Sequence, residues 1–346
     1  MRSQEDQVWY HVDVNSAYLS WTAAYRVCIL GEDLDLRDIP SVIGGSEAER
    51  HGIVLAKSGS AKRYGIRTGE TLAEARCKCP GLVIVPPDYS LYVGCSKALV
   101  ELLKKYFPHV HQYSIDEAFC RVEGTKGLWG THTAFAHQLK EEIRRELGFT
   151  VNIGVSDCKL LAKMASEFQK PDQVHTLFTR EIERKMWPLP VSDLFWVGPA
   201  TVRKLGALGI RTIGELAVMD LELLKRHLKK QGEFIWNYAN GRDVSPFLRE
   251  LPRNKGYGNS MTTPFDVTDR ETAWQVILSL TETVCARLRA DGMEAACVGI
   301  SITDREFRHG SVQTTLISAT DTTLEIYEAA RSLFDRLWNY SPIRRM

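Results

Sequence analysis

Two short apolar segments of this chain carry carboxylates where a buried strand should have none. The first is VWYHVDVNSAYLSW, with Asp13 inside a run of aromatic and β-branched residues. The second is YSIDEAF, Tyr113 to Phe119, which sets Asp116 and Glu117 side by side ahead of Ala118-Phe119-Cys120-Arg121-Val122. Neighbouring side chains of a strand point to opposite faces, so two adjacent acids in a strand put at least one toward a core. A desolvated carboxylate is costly unless it is paired or bound to metal. One such acid alone reads as a strand-end or turn carboxylate facing water. Three acids in two such segments favour a different arrangement, in which two strands lie side by side and gather Asp13, Asp116 and Glu117 around a divalent cation.

A chain of 346 residues exceeds one ordinary core, so more than one unit is expected. Its 44% hydrophobic and 25% charged residues are those of a globular protein. The formal net charge of +1 does not announce nucleic acid, and a local patch can bind it without a bulk excess. No run of 18 apolar residues occurs and MRSQEDQ has no signal-peptide core, so a cytoplasmic protein is expected. The eight cysteines include no CxxC pair and read as reduced thiols rather than a zinc site.

Along the chain, 7–14 reads as a strand and 16–29 as a helix. SVIGG and GIVLAKS read as a short hairpin joined by a polar loop at 46–51. Short helices follow at SAKRYGI and GETLAEARCKC, then the strand LVIVPP, stopped by its prolines. A helix is expected at 88–107, a strand at HVHQYSID continuing into AFCRV, and a Gly-rich turn at GTKGLWG. THTAFAHQLKEEIRREL is an amphipathic helix, TVNIGVS a strand and CKLLAKMASEFQ a helix. From about 180 the pattern changes to short helices, and 243–254, with two prolines, reads as a linker. The remainder reads β-α-β-β-α, with strands near 256–263, 296–303 and 312–318, a split βαβ arrangement.

Taken in order and nearly end to end, these segments resemble the Y-family of translesion DNA polymerases, in particular its bacterial DinB-like branch. HVDVNSAYLS is similar to the first metal motif of that family and SIDEAF to the second. VNIGVSDCKLLAKMASEFQKPD resembles the segment that ends in the triphosphate lysine, WVGPATVRKLGALGIRTIGELA the helix-hairpin-helix, and KGYGNSMTTPFDV the start of the little finger. The resemblance implies an α+β multidomain fold, a right-hand polymerase with a ferredoxin-like palm at 1–29 and 88–178 and small fingers at 30–87. It also implies a helical thumb at 179–242, a linker at 243–254, and a split βαβ little finger at 255–346 whose last strand is absent. Because Ile343-Arg344-Arg345-Met346 closes the sequence, a truncated C-terminus and no clamp-binding tail are expected.

The implied activity is template-directed, low-fidelity DNA synthesis by two-metal nucleotidyl transfer. One cation lowers the pKa of the primer 3′-hydroxyl and the other holds the triphosphate and the leaving pyrophosphate. Two Mg2+ ions suit hard oxygen ligands, with Mn2+ as an alternative. By the resemblance, Asp13 and Asp116 bridge both ions, Glu117 holds the one nearer the primer, and the Val14 carbonyl completes the other. Tyr18, five residues after Asp13, takes the place of the steric gate against a ribose 2′-hydroxyl. Ala17, Tyr18, Lys62 and Lys170 are the implied nucleotide contacts, and Gly198, Arg203 and Lys204 the implied DNA contacts. Primer-template DNA and a deoxynucleoside triphosphate are the implied partners, a sliding clamp a further one, with the chain acting as a monomer.

Three departures stand out. Asn15 occupies a place where many relatives carry a second aspartate. Gly59 replaces a tyrosine, leaving Lys62 as a point charge and Ser58 and Ser60 as hydroxyls for the phosphates. Trp196 replaces the first of two hairpin glycines, and only Gly198 remains. The last two departures favour an alternative, a catalytically silent DNA-binding homologue. The intact Asp13, Asp116 and Glu117 oppose it. A palm-fold nucleotidyl cyclase would share the metal chemistry but not the helices at 180–242.

Overall fold

The computed structural model describes residues 7–46, 52–123, 130–243 and 254–346. The polar loop after Ser46, the Gly-rich turn after Glu123 and all but the ends of the 243–254 linker lie outside the described residues. Val8 to Val14 is buried throughout, as a strand covered on both faces must be, and forms β1 (Gln7–Val14). After it come α1 (Ala17–Cys28), β2 (Ser41–Gly44), β3 (Val54–Lys57), α2 (Gly59–Arg63), α3 (Leu72–Lys78) and β4 (Val83–Val85). Next are α4 (Tyr89–Lys104), β5 (His109–Gln112), β6 (Glu117–Glu123), α5 (His132–Leu147), β7 (Val151–Ser156), α6 (Lys159–Glu167) and β8 (Val174–Thr176). Five short helices follow: α7 (Ile182–Lys185), α8 (Pro199–Ala207), α9 (Ile213–Val218), α10 (Leu221–Leu228) and α11 (Lys230–Ala239). The chain finishes with β9 (Thr262–Val267), α12 (Arg270–Ala290), β10 (Ala295–Asp304), β11 (His309–Thr320), α13 (Thr323–Leu337) and β12 (Ile343–Arg345).

The chain falls into two compact units, the second made chiefly of Leu248–Met346. In the first, a five-stranded sheet has the order β5-β6-β1-β7-β8, with β1 at its centre. β1 runs antiparallel to both neighbours, and the register sets Asp13 opposite Glu117 on one side and Asn152 on the other. One face of this sheet packs Tyr10, Val12 and Val14 against Trp21, Leu103, Phe135 and Leu139 of the surrounding helices. On the other face α6 comes unusually close. A Cβ added at Gly154 of β7 would meet the Ala162 carbonyl oxygen at 1.9 Å and the Ser166 nitrogen at 2.6 Å. Only glycine permits that approach, and it brings the polar residues of α6 down onto the end of β1. The small sheet β3-β2-β4 packs Ile43, Ala56 and Val85 on Leu19 and Ala23 of α1. The helical region encloses a core of its own with α6, including Met164, Leu205, Leu216, Leu224 and Ile235.

The second unit has a four-stranded sheet, β11-β10-β12-β9, with α12 and α13 against it and Leu288, Val298, Leu333 and Phe334 in its core. Three expectations are corrected. The final strand is present: Ile343–Arg345 pairs antiparallel with both β10 and β9. The first strand of this unit starts at Thr262 and not near 256, and it carries Pro264, which an edge strand tolerates because it faces no ladder on one side. In the first unit, the strand expected through YSID stops at Gln112. The amides of Tyr113 and Ser114 both donate to the Glu117 carbonyl, which closes a tight turn and leaves Asp116 on that turn. β8 had no counterpart among the expected strands.

Candidate active site

The end of β1 and the start of β6 are held together by more than the ladder. The Val14 amide donates to the Asp116 carbonyl at 3.0 Å, which fixes the turn carrying Asp116 beside Asp13. Among the described residues, Asp13, Glu117 and Glu167 form the acidic group whose ligand oxygens lie within 4.8 Å of one another. The sequence reading had Asp13 and Glu117 in this place and missed Glu167, at the end of α6. Asp116 lies outside that group, with its carboxylate accepting from the Ser114 hydroxyl at 2.6 Å.

Two lysines from the same stretch stand among these acids. Lys163 Nζ donates to Glu117 Oε1 at 2.7 Å, and Lys170 Nζ to Asp13 Oδ1 at 3.0 Å and Glu167 Oε1 at 2.9 Å. Lys170 was expected at the triphosphate and here rests on the carboxylates. Burial pushes the Asp13 carboxyl up to about 7; Lys170 opposes this, and the hydrogen bond with Glu117 adds to it. Burial would pull the Lys170 ammonium down, but Asp13 and Glu167 outweigh it and the value ends raised. Beneath Glu117 lies His11, fully buried and held well below its usual range by burial and by Lys163, Lys170 and Lys159. The Ser166 hydroxyl lies 2.8 Å from the Lys163 carbonyl and 2.8 Å from His11 Nδ1, and ties the imidazole to α6. The other ring nitrogen, Nε2, faces Glu117 Oε2 at 3.9 Å.

The donor set fits a hard divalent cation. It offers carboxylate oxygens only, and three acids face two lysines within the cluster, which leaves net negative charge in a partly dry place. Asn15 is committed elsewhere: its amide donates to Asn152 Oδ1 and its oxygen accepts from the Asp172 amide and the Thr150 hydroxyl. That explains an asparagine here, since an aspartate would lose the donor.

Tyr18 stands beside the acids. Its ring stacks on Tyr92 at 4.4 Å with 5° between planes, and meets Tyr89 edge-on at 6.1 Å. Burial raises its phenol, with Tyr89, the charge of Asp116 and Tyr92 contributing. Ala17 is buried at the start of α1. Lys62 is exposed on α2. The hydroxyls next to it serve the fold: Ser58 donates to the Ile39 carbonyl and caps α2 at the Ala61 amide, and Ser60 donates to the Asp38 carbonyl. Gly59 does not sit in the left-handed region, and a Cβ there would meet nothing within 4 Å. Gly198 caps α8, which carries Arg203 and Lys204 exposed.

A carboxylate cluster at the end of the central strand of a mixed sheet, with an aromatic shelf beside it, fits a nucleotidyl-transferring enzyme. Comparison with known proteins agrees. Residues 12–167 match the impB/mucB/samB family and residues 254–346 its C-terminal domain. The chain is 46% identical over 339 residues to DNA polymerase IV of Clostridium acetobutylicum, covering 98% of this chain and 85% of the relative. It is 40% identical over 338 residues to DNA polymerase IV of Acetivibrio thermocellus, covering 97% and 83%. The solved Y-family DNA polymerase chimera Dbh-Dpo4(243-245)-Dbh superposes with a TM-score of 0.80 at 19% identity, over 98% of this chain and 96% of that one. The chain belongs to the Y-family of translesion DNA polymerases, within its DNA polymerase IV group.

Proposed function

We propose that the chain extends a primer 3′ end along a DNA template by nucleotidyl transfer at Asp13, Asp116 and Glu117, with Mg2+ as the divalent ion. The observation that carries this reading is the register of β1 against β6, which sets Asp13 opposite Glu117 within a carboxylate group 4.8 Å across. Asp13, Asp116, Glu117 and the Val14 carbonyl would hold the ions, and Glu167 is added as a neighbour that shapes their field. When bound, the ions activate the 3′-hydroxyl and neutralise the triphosphate. Lys170 releases Asp13 and reaches the phosphates, and Lys163 keeps Glu117 in place. Ala17 and Tyr18 form the floor under the sugar. Lys62 approaches the triphosphate, and Gly198, Arg203 and Lys204 meet the duplex backbone. In this reading 1–29 with 88–178 is the palm, 30–87 the fingers, 179–242 the thumb and 255–346 the little finger. The enzyme acts as a monomer in the cytoplasm, with a sliding clamp as a further partner.

Primer extension tests it. The parent extends with Mg2+ and stops on chelation, and Asp116→Ala loses extension while still binding primer-template. Full activity of that variant would remove Asp116 from the site. In the same assay Tyr18→Ala admits ribonucleotides, because the discrimination rests on a clash that the substitution removes. Ribonucleotide use as poor as the parent's would make Tyr18 a packing residue only. A silent homologue would show no extension with either ion.

A further inference from the structure

Trp196 combines a strained backbone with a largely exposed side chain. Its φ is 71°, the left-handed region that glycine occupies without cost and a bulky residue rarely adopts. The residue is 57% exposed, and its ring meets Phe195 at 5.4 Å and Phe234 edge-on at 6.2 Å. A strained residue persists where its surroundings fix it, and the inference runs from the outlier to a role. The turn is fixed from outside, since Gln231 Nε2 donates to the Trp196 carbonyl at 3.1 Å. Exposed charges of both signs stand near it in the chain, Asp193 and Glu233 among the acids. Arg203 and Lys204 are exposed on α8, which starts three residues after Trp196, and Lys229 and Lys230 precede Gln231.

An exposed indole just ahead of a helix that carries exposed Arg203 and Lys204 suits a ligand of alternating charge and apolar surface. A nucleic-acid backbone is of that kind, with phosphates separated by sugars. We propose that the Trp196 indole is a DNA contact, packing on the deoxyriboses of the primer-template duplex between phosphates met by Arg203 and Lys204. The proposal rests on the polymerase reading. It adds an apolar, sequence-independent anchor where the glycine of relatives would offer a backbone amide alone.

The two kinds of contact differ in their response to salt. Phosphate contacts release counterions, and each adds about 0.9 to the slope of log affinity against log salt, whereas an apolar contact adds nothing. Affinity for a primer-template duplex is measured by fluorescence anisotropy across a salt series, beside the melting temperature. Trp196→Gly is expected to bind roughly tenfold more weakly at every salt, the scale of one aromatic-nucleotide contact, with the slope unchanged. Its melting temperature is no lower than the parent's, because glycine suits the turn, and Trp196→Phe keeps most of the affinity. Arg203→Ala with Lys204→Ala instead flattens the slope by about 2. Parent-like affinity in Trp196→Gly overturns the proposal, as does a loss that comes with a lowered melting temperature. A parent chain that bound no primer-template would overturn the polymerase reading and this contact with it.

Discussion

At the scale of single residues, Gly59 carries two explanations that the structure narrows and kinetics separates. A glycine is retained for its backbone or results from the loss of a side chain. Gly59 is the first residue of α2, outside the left-handed region, with no atom within 4 Å of an added Cβ. The protein's own atoms make no demand for glycine there, which leaves a missing hydroxyl or a close approach of the triphosphate to the bare backbone. A hydrogen bond from such a hydroxyl to a charged phosphate contributes about 1.5–3 kcal/mol, or roughly 10- to 100-fold in binding. Gly59→Tyr is therefore expected to lower the apparent KM for the incoming nucleotide by at least about tenfold, and Gly59→Ala to leave it unchanged. Steady-state insertion kinetics read both. A KM that rises in both variants would mean that the triphosphate needs the bare backbone.

At the scale of elements, α6 supplies more of the site than its motif announced. Lys163, Glu167 and Lys170 follow one another at i, i+4 and i+7, one helical face continued past the helix end. That spacing was available in the sequence, where only Lys170 was singled out. What the sequence does not contain is the depth at which this face sits. The depth depends on Gly154, whose missing Cβ lets α6 lie against β7. His11 was hidden for a related reason. In an apolar strand it reads as one more core residue, and its link through Ser166 to α6 exists only once the helix is docked. Asp13 and Glu117 were legible because strand pairing follows from their apolar flanks. The turn that takes Asp116 out of the strand depends on two amides converging on one carbonyl, which spacing does not encode. Gly154→Ala is the test of the docking. The added methyl meets main-chain atoms that no rotamer change can move aside, so α6 must lift, at a cost of about 3 kcal/mol or more. Loss of extension should exceed the loss of folded protein, because Lys163, Glu167 and Lys170 move with the helix. Parent-like stability and activity would show that α6 does not lie this close.

At the scale of the whole molecule, the two units have cores that share no residue. The sheet core of the first contains Tyr10, Trp21, Leu103 and Ile153, and that of the second contains Ile277, Leu288, Leu333 and Phe334. Cooperative unfolding requires that disrupting one set of contacts exposes the other, and separate cores remove that requirement. Heat unfolding should then proceed in two transitions, with a calorimetric enthalpy larger than the van't Hoff value of either. The assignment of each transition follows from truncating one core at a time. Phe334 is fully buried against Trp338, with ring centroids 5.3 Å apart, and Phe334→Ala should cost about 3–5 kcal/mol. In a unit of this size each kcal/mol shifts the midpoint by about 4–8 °C, so its transition should fall by well over 10 °C while the other stays in place. Gly154→Ala should do the reverse. The same pair of variants separates the functions, because primer-template affinity can fall in Phe334→Ala without disturbing the carboxylate cluster on β1 and β6. A single transition that shifts as a whole in either variant would show that the two cores unfold as one.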